Sequence, residues 1–560
     1  MCDGHFSCRY SISAFSQLQK MGIRHPRPAP FIGNVLLFQK GFWEGANQIL
    51  KMYGPISGYY MGRRPMVLLS DPEAVKQVLQ KDFSNFTNRL KMNLVTKPMS
   101  DSLLCLRDQQ WKRVRSVLTP SFSAARMKEM CPLIHQGCDV LLSNLQTFAD
   151  SGESCNVQRS YACYTMDIVA SVAFGTNVDS QKDPDHPMVQ NSKKFLELFT
   201  PLKPLVLLTL AFPSIMVPIA RRLPNRNRDK INDFFRKIMK DMMDQRDQQP
   251  SGERRRDFLQ LLLDARTTAS NVSVEHFDIV NQADLAAPVK EEPRKETTKT
   301  LSEDEILGQA FIFLIAGYET TSSLLAFTTY LLATHPESQE RLLREVDEFS
   351  ENHDGADYNT VHHLPYMDLV ISESLRMYPP AFRCVPVCGV MRITPLTTGA
   401  ARVLFPSLLW STQVWILLFL RRMHYKDQLM LATHTLFARE AAADCTVMGC
   451  KIPAGTVLEI PIGCMQNDPR YWEEPERFRP ERFTAEEKQK RHPFLYLPFG
   501  AGPRSCIGMR LAILEAKITL YRILRKFRFE TCPHTQIPLQ VTAVSTLRPK
   551  DGVYVRVVAR

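Results

Sequence analysis

One ten-residue loop constrains this chain more than any other stretch. Residues 499–508 read Phe-Gly-Ala-Gly-Pro-Arg-Ser-Cys-Ile-Gly, and a strongly helical run, MRLAILEAKITLYRILRKF, follows at once. A cysteine that opens a helix sees unpaired amides and the positive end of the helix dipole, and both favour thiolate. Thiolate is the form that ligates iron. Gly500, Gly502 and Gly508 let backbone approach a flat ligand closely. Arg504 offers a cation to an anionic substituent. A lone cysteine before a helix is usually structural. The constraint comes from the filled pattern F-x-x-G-x-R-x-C-x-G, with Phe499, Gly502, Arg504, Cys506 and Gly508 at its fixed positions.

A second feature predicts a large helical core. Ser302 and Glu305 carry a capping-box signature ahead of a long apolar stretch that stops at His335-Pro336. A helix that is apolar around most of its circumference crosses a core. Within it, Ala316-Gly317-Tyr318-Glu319-Thr320-Thr321 places a glutamate and two threonines, which cost stability unless something needs them. Upstream, alternation over 58–75 predicts a short strand pair and then a helix opened by Asp71-Pro72. Residues 109–263 read as mostly helical. The segment 204–220, PLVLLTLAFPSIMVPIA, is apolar but broken by Pro213 and Pro218. It reads equally as a buried core helix or as two short helices on a membrane face, with Arg221 and Arg222 at the headgroups.

Together these motifs resemble the cytochrome P-450 superfamily, the haem-thiolate proteins. Glu373 and Arg376 in ESLRMYPP share one helix face at i,i+3. Alone they read as an ordinary surface ion pair, but they resemble the family's E-x-x-R core, joined by Arg482 in FRPERF. The resemblance implies a mainly α fold, a helical bundle with a small β-rich subdomain. It implies haem b with Cys506 as axial thiolate, the sole metal ligand. Phe499 and Arg504 belong to the cofactor loop. Trp111 and Arg115 in WKRVR, Arg89 in FTNR and Arg439 in the F-x-R-E-A segment are similar to haem-propionate contacts. Glu319 and Thr320 resemble the acid–alcohol pair with which monooxygenases relay protons.

The stretches FPSIMVPIARRLPNRNRD, RRRDFLQLLLDAR and QAFIFLIAGYE narrow the resemblance, over 11–383 and 437–560. They resemble the branch that isomerises prostaglandin H2 to thromboxane A2, with some fragmentation to a hydroxy fatty acid and malondialdehyde. The expected site is then an isomerase with no need of NADPH. That branch usually has an apolar residue where this chain has Thr320, so an NADPH-dependent monooxygenase of lipophilic substrates, with cytochrome P-450 reductase as partner, is the alternative. The expected location is the cytosolic face of the endoplasmic reticulum membrane.

Composition agrees with a folded enzyme. Of 560 residues, 44% are hydrophobic and 23% charged, which excludes wholesale disorder. The net charge of +12 comes without zinc-finger spacing, an RNA-binding signature or a basic heptad region, so no nucleic-acid partner is expected. Fourteen scattered cysteines without a secretory signal fit a reducing compartment. Residues 1–30 hold no apolar run of about 18, so the family's usual anchor is not expected there. One P-450 domain is expected over 31–560, with a polar loop at 288–300 and an atypical insert at 384–436. Within that insert, 403–420 is apolar enough to span a membrane, but a single pass would put Glu373 and Cys506 on opposite sides. The insert reads as a retained non-coding segment or a splice product, with a genuine loop lying on the membrane as the alternative, and it is expected to displace Arg439. An inactive form unable to hold haem is the third reading.

Overall fold

The computed structural model describes residues 10–38, 41–198, 204–222, 225–250, 255, 257–266, 300–380, 438–543 and 546–560. The insert 384–436 and the loop 288–300, apart from Thr300, lie outside the described residues.

Helix α1 (Phe42–Tyr53) leads into strands β1 (Ile56–Met61) and β2 (Arg64–Leu69) and helix α2 (Pro72–Lys76). Asp71 caps α2 by accepting the Ala74 N–H at 2.9 Å, as the Asp-Pro signal predicts. Next come α3 (Asp108–Leu118), α4 (Ala124–Ser151), β3 (Ser154–Asn156), α5 (Val157–Phe174), α6 (Pro187–Leu198), α7 (Pro204–Ala211), α8 (Pro213–Arg222), α9 (Arg226–Gln248) and α10 (Phe258–Asp264). The central helix α11 (Glu303–Thr334) is followed by α12 (Pro336–Asn352) and α13 (Pro365–Met377). Beyond the insert lie β4 (Ala438–Glu440), β5 (Cys445–Val447), β6 (Cys450–Ile452), β7 (Val457–Glu459), α14 (Met509–Leu524), β8 (Phe527–Glu530), β9 (Val541–Ala543), β10 (Leu547–Pro549) and β11 (Tyr554–Ala559). The order β1-β2-β7-β4 forms the main sheet, with β2 and β7 parallel.

The capping box of α11 forms as predicted, with Ser302 and Glu305 each accepting the other's amide. α11 is long and apolar enough to cross a membrane, yet most of it is buried inside the protein. Gly317 serves that packing: a Cβ there would meet Val169 Cγ2 of α5 at 2.7 Å. Thr165 of α5 reinforces the contact by donating to the Tyr318 carbonyl at 2.9 Å.

The segment 204–220 divides its behaviour. α7 buries Thr209 and Ala211. The Leu210 carbonyl lies so near Gly62 that a Cβ there would come within 2.6 Å. α8 instead leaves Ile215 63% and Ile219 43% exposed. Arg221 donates to the Asn93 carbonyl at 2.6 Å. The proline break lets one half pack while the other presents apolar surface.

The Glu373–Arg376 pair is no surface pair, since both residues are fully buried. Arg376 binds Glu373 in bidentate fashion, Nε to Oε2 at 2.7 Å and Nη2 to Oε1 at 2.9 Å. Arg482 Nε donates to Glu373 Oε1 at 3.2 Å, and the Arg479 amide to the same oxygen at 3.0 Å.

One buried carboxylate yields a pH prediction. Glu515 of α14 is 2% exposed, and its Oε1 has no hydrogen-bond partner among the described residues. Burial pushes its pKa up to about 8, from an ordinary 4.5. The folded state therefore holds the proton more tightly than the unfolded chain. The stability Glu515 allows in acid is lost as pH rises through that window, at roughly 1.4 kcal/mol per pH unit. Glu515→Gln is expected to remove this slope. Denaturant unfolding of both proteins across the window checks it, and parallel profiles would contradict it.

Candidate functional site

The cysteine loop is set by its own backbone. The Cys506 amide donates to the Phe499 carbonyl at 2.9 Å, and the Gly500 amide to Leu497 at 3.0 Å. Gly500 and Gly502 take positive φ, 74° and 70°. Gly502 does not face a ligand as the sequence suggested. A Cβ there would lie 2.0 Å from the Leu79 carbonyl, so its role is close contact with the helical turn Gln77–Lys81. A Cβ on Gly508 would meet no protein atom within 4 Å, so protein packing does not demand glycine there.

Two opposed effects act on the Cys506 thiol. The Gly508 and Met509 amides and the guanidiniums of Arg115 and Arg89 do pull the Cys506 pKa down. Burial outweighs them, and the net shift is upward. Cys506 has accessible surface. Desolvation by the surrounding protein is the largest of these effects. A metal cation at the sulfur would stabilise the thiolate.

Four arginines gather on this side of the loop. Arg504 is 3% exposed and its guanidinium is committed to backbone carbonyls. Nε donates to Thr87 at 2.9 Å, Nη2 to Leu106 at 2.9 Å and Nη1 to Leu103 at 3.4 Å. It also stacks 4.1 Å over the ring of Trp111, itself 2% exposed. Arg89 Nη2 donates to the Arg504 carbonyl at 3.3 Å. Arg439 is 1% exposed in β4 and donates to the Ala438 carbonyl at 3.0 Å. Its strand register, Arg439 opposite Leu458, holds it at the site. The expected displacement by the insert does not occur. Arg115 Nε is buried without a hydrogen-bond partner among the described residues.

Burial and mutual repulsion set the electrostatics of this cluster. Burial lowers the pKa of Arg439 to about 9 and of Arg89 and Arg115 to about 10. Arg504 falls to about 7, through burial first and then repulsion from Arg89, Arg439, Arg115 and Arg107. Mutually repelling guanidiniums beside a soft thiol fit a ligand that carries two carboxylates and a thiophilic metal. The chemistry of these residues thus fits haem. Arg504 instead clamps the 87–106 segment, and Phe499 is half-buried against the main core.

Sequence reasoning missed several contributors. Arg107 pairs with Glu440 at 3.0 Å and donates to the Arg89 carbonyl at 3.0 Å. Glu440 also pairs with Arg64 at 3.2 Å. Strand alternation at 438–440 puts Arg439 and Glu440 on opposite faces, and that signal was available. Gln309 is fully buried and fixes the Leu103 amide at 2.7 Å, next to the carbonyl that Arg504 uses.

Glu319 and Thr320 hydrogen-bond to different partners. Glu319 is 6% exposed and accepts from Thr546 Oγ1 at 3.2 Å, with Arg548 Nη1 at 3.8 Å. Burial raises its pKa, against the pull of Arg548 and Thr546. Thr320 Oγ1 donates to the Ala316 carbonyl of its own helix at 2.7 Å. The acid belongs to the α11–β10 contact, and the alcohol is held by α11.

The chain matches the Cytochrome P450 family over residues 23–386 and 429–557. It belongs to that family. The stretch between the two matched parts falls within 384–436. As a P450, the protein is an enzyme with a haem-thiolate iron cofactor, and its helical architecture with small sheets is the family's. It is 50% identical to Thromboxane-A synthase of Sus scrofa, over 98% of this chain and 94% of that protein. Thromboxane-A synthase of Mus musculus is 48% identical over the same shares. Cytochrome P450 3A9 of Rattus norvegicus is 34% identical, again over 98% and 94%.

Proposed function

We propose that this P450 is a haem-thiolate isomerase converting prostaglandin H2 to thromboxane A2, with partial fragmentation to a hydroxy fatty acid and malondialdehyde. One observation carries the reading: 50% identity to a Thromboxane-A synthase across nearly the whole chain, against 34% for a 3A-type P450. The geometry agrees in one respect. An endoperoxide already contains its weak O–O bond, so no proton relay to dioxygen is needed. Glu319, tied to Thr546 and Arg548, does not reach toward Thr320 to build one.

Haem b, when bound, supplies a Lewis-acidic, one-electron centre for opening the endoperoxide. The chain's own residues do the rest. Cys506 would hold the iron through its sulfur. Arg89, Arg115 and Arg439 would neutralise the propionates, and Arg504 with Trp111 and Phe499 would keep the loop in place. Apolar α11 excludes water from the substrate side. The exposed isoleucines of α8 and the basic net charge support a location on the cytosolic face of the endoplasmic reticulum membrane.

The presence of Thr320 favours one alternative, an NADPH-dependent monooxygenase served by a reductase. Thr320→Ile separates the two. For the isomerase, prostaglandin H2 turnover is expected to change less than about tenfold, whereas loss of a general acid–base relay costs about 10²–10⁴-fold. A loss of that size in a prostaglandin H2 assay would favour the monooxygenase.

A further inference from the structure

A pair of histidines meets away from the cysteine loop, where α12 ends. His353 is the C-cap residue of α12, and His363 closes the single turn Val361–His363 just before α13. Nδ1 of His363 and Nε2 of His353 lie 3.1 Å apart. Two nitrogens at that spacing, each about 2.0–2.1 Å from a shared metal, subtend roughly 100° at it. That is an acceptable angle for two ligands on one cation.

The first imidazole is built into place. His353 Nδ1 lies 3.2 Å from the Phe349 carbonyl, which assigns the proton to Nδ1 and leaves Nε2 with its lone pair. The His353 ring stacks on Phe349 at 4.4 Å and 13°, and Phe349 is 3% exposed in the core. The second imidazole sits on an ordered turn. Asp357 Oδ1 accepts the amides of Asn359 and Thr360 at 2.7 and 2.8 Å. Buried Val361 and Leu364 flank the histidine. His363 itself is exposed, so an ion has access.

One further observation favours a cation. The carbonyl end of a 17-residue helix points here, and its dipole stabilises positive charge.

We propose that His353 and His363 form a two-imidazole site for a late first-row divalent cation, Cu(II), Ni(II) or Zn(II), which staples the end of α12 to the turn before α13. Imidazole pairs suit these ions rather than Mg²⁺ or Ca²⁺. Among the described residues no group of three or more His, Cys, Asp or Glu is placed to hold a metal, so water completes the coordination.

The haem-loaded full chain is titrated with Ni(II), and Cu(II) is added for electron paramagnetic resonance. Wild type is expected to show one saturable Ni(II) site, a raised Tm and a Cu(II) spectrum with two nitrogen ligands. His353→Gln and His363→Gln should each weaken Ni(II) binding at least about tenfold and abolish the Tm shift. The double variant should be no worse than either single one. His362→Gln, one residue away, should behave as wild type, and metal-free Tm values confirm that His363→Gln folds. Unchanged Ni(II) binding in His363→Gln, or no saturable site in wild type, would show the pair to be a hydrogen bond and nothing more.

Discussion

Cys506→Ala is expected to abolish the red-shifted Soret band of the reduced carbon monoxide complex and all turnover, while the fold survives. The sulfur is the one soft ligand in the loop 499–508, and the guanidiniums beside it supply charge but no metal donor. Folding should not depend on it, because the loop is held by the Cys506 amide on the Phe499 carbonyl, which alanine keeps. An alanine variant that retained the thiolate-type band would remove Cys506 as the ligand. A variant that failed to fold would instead assign the residue a structural role.

Glu373→Gln is the second large effect. Glu373 is the shared anion for Arg376 and Arg482, both buried. Glutamine keeps the shape and one acceptor oxygen but leaves two guanidiniums without a counter-charge. Breaking a buried pair in this way costs about 3–5 kcal/mol. The damage should travel to the metal loop along a short path. Arg376 Nη1 donates to the Gln466 carbonyl at 2.8 Å, and Gln466 Oε1 accepts the Leu497 amide at 2.9 Å. The Leu497 carbonyl in turn accepts the Gly500 amide. The denaturation midpoint and the haem-to-protein ratio should therefore fall together. A stability loss below about 1 kcal/mol would place the pair among surface-type ion pairs.

What could be read from the chain alone follows from the range of the forces involved. The capping box, the Asp-Pro helix start and the cysteine loop are local, and each appears where adjacent residues predict it. The i,i+3 spacing of Glu373 and Arg376 shows that they meet but not how deeply. Burial is decided by Gln466, Pro475 and Arg482, about a hundred residues on. Arg504 announced a cation, but its partners Thr87, Leu103 and Leu106 lie some four hundred residues upstream. The Cys506 thiol shows the same division, since the helix dipole that favours thiolate is a local effect and the desolvation that opposes it is not. Glu319 and Thr320 are neighbours in sequence, yet successive residues on a helix point about 100° apart. Each therefore found a different partner. In 204–220, composition alone did not say which half would be covered.

The most direct test of the account is turnover of prostaglandin H2 by the purified haem-loaded chain without NADPH and without reductase. The isomerase reading predicts thromboxane A2, together with the hydroxy fatty acid and malondialdehyde, at a rate that added NADPH and reductase leave unchanged. No conversion until both are supplied would contradict it and make the protein a monooxygenase.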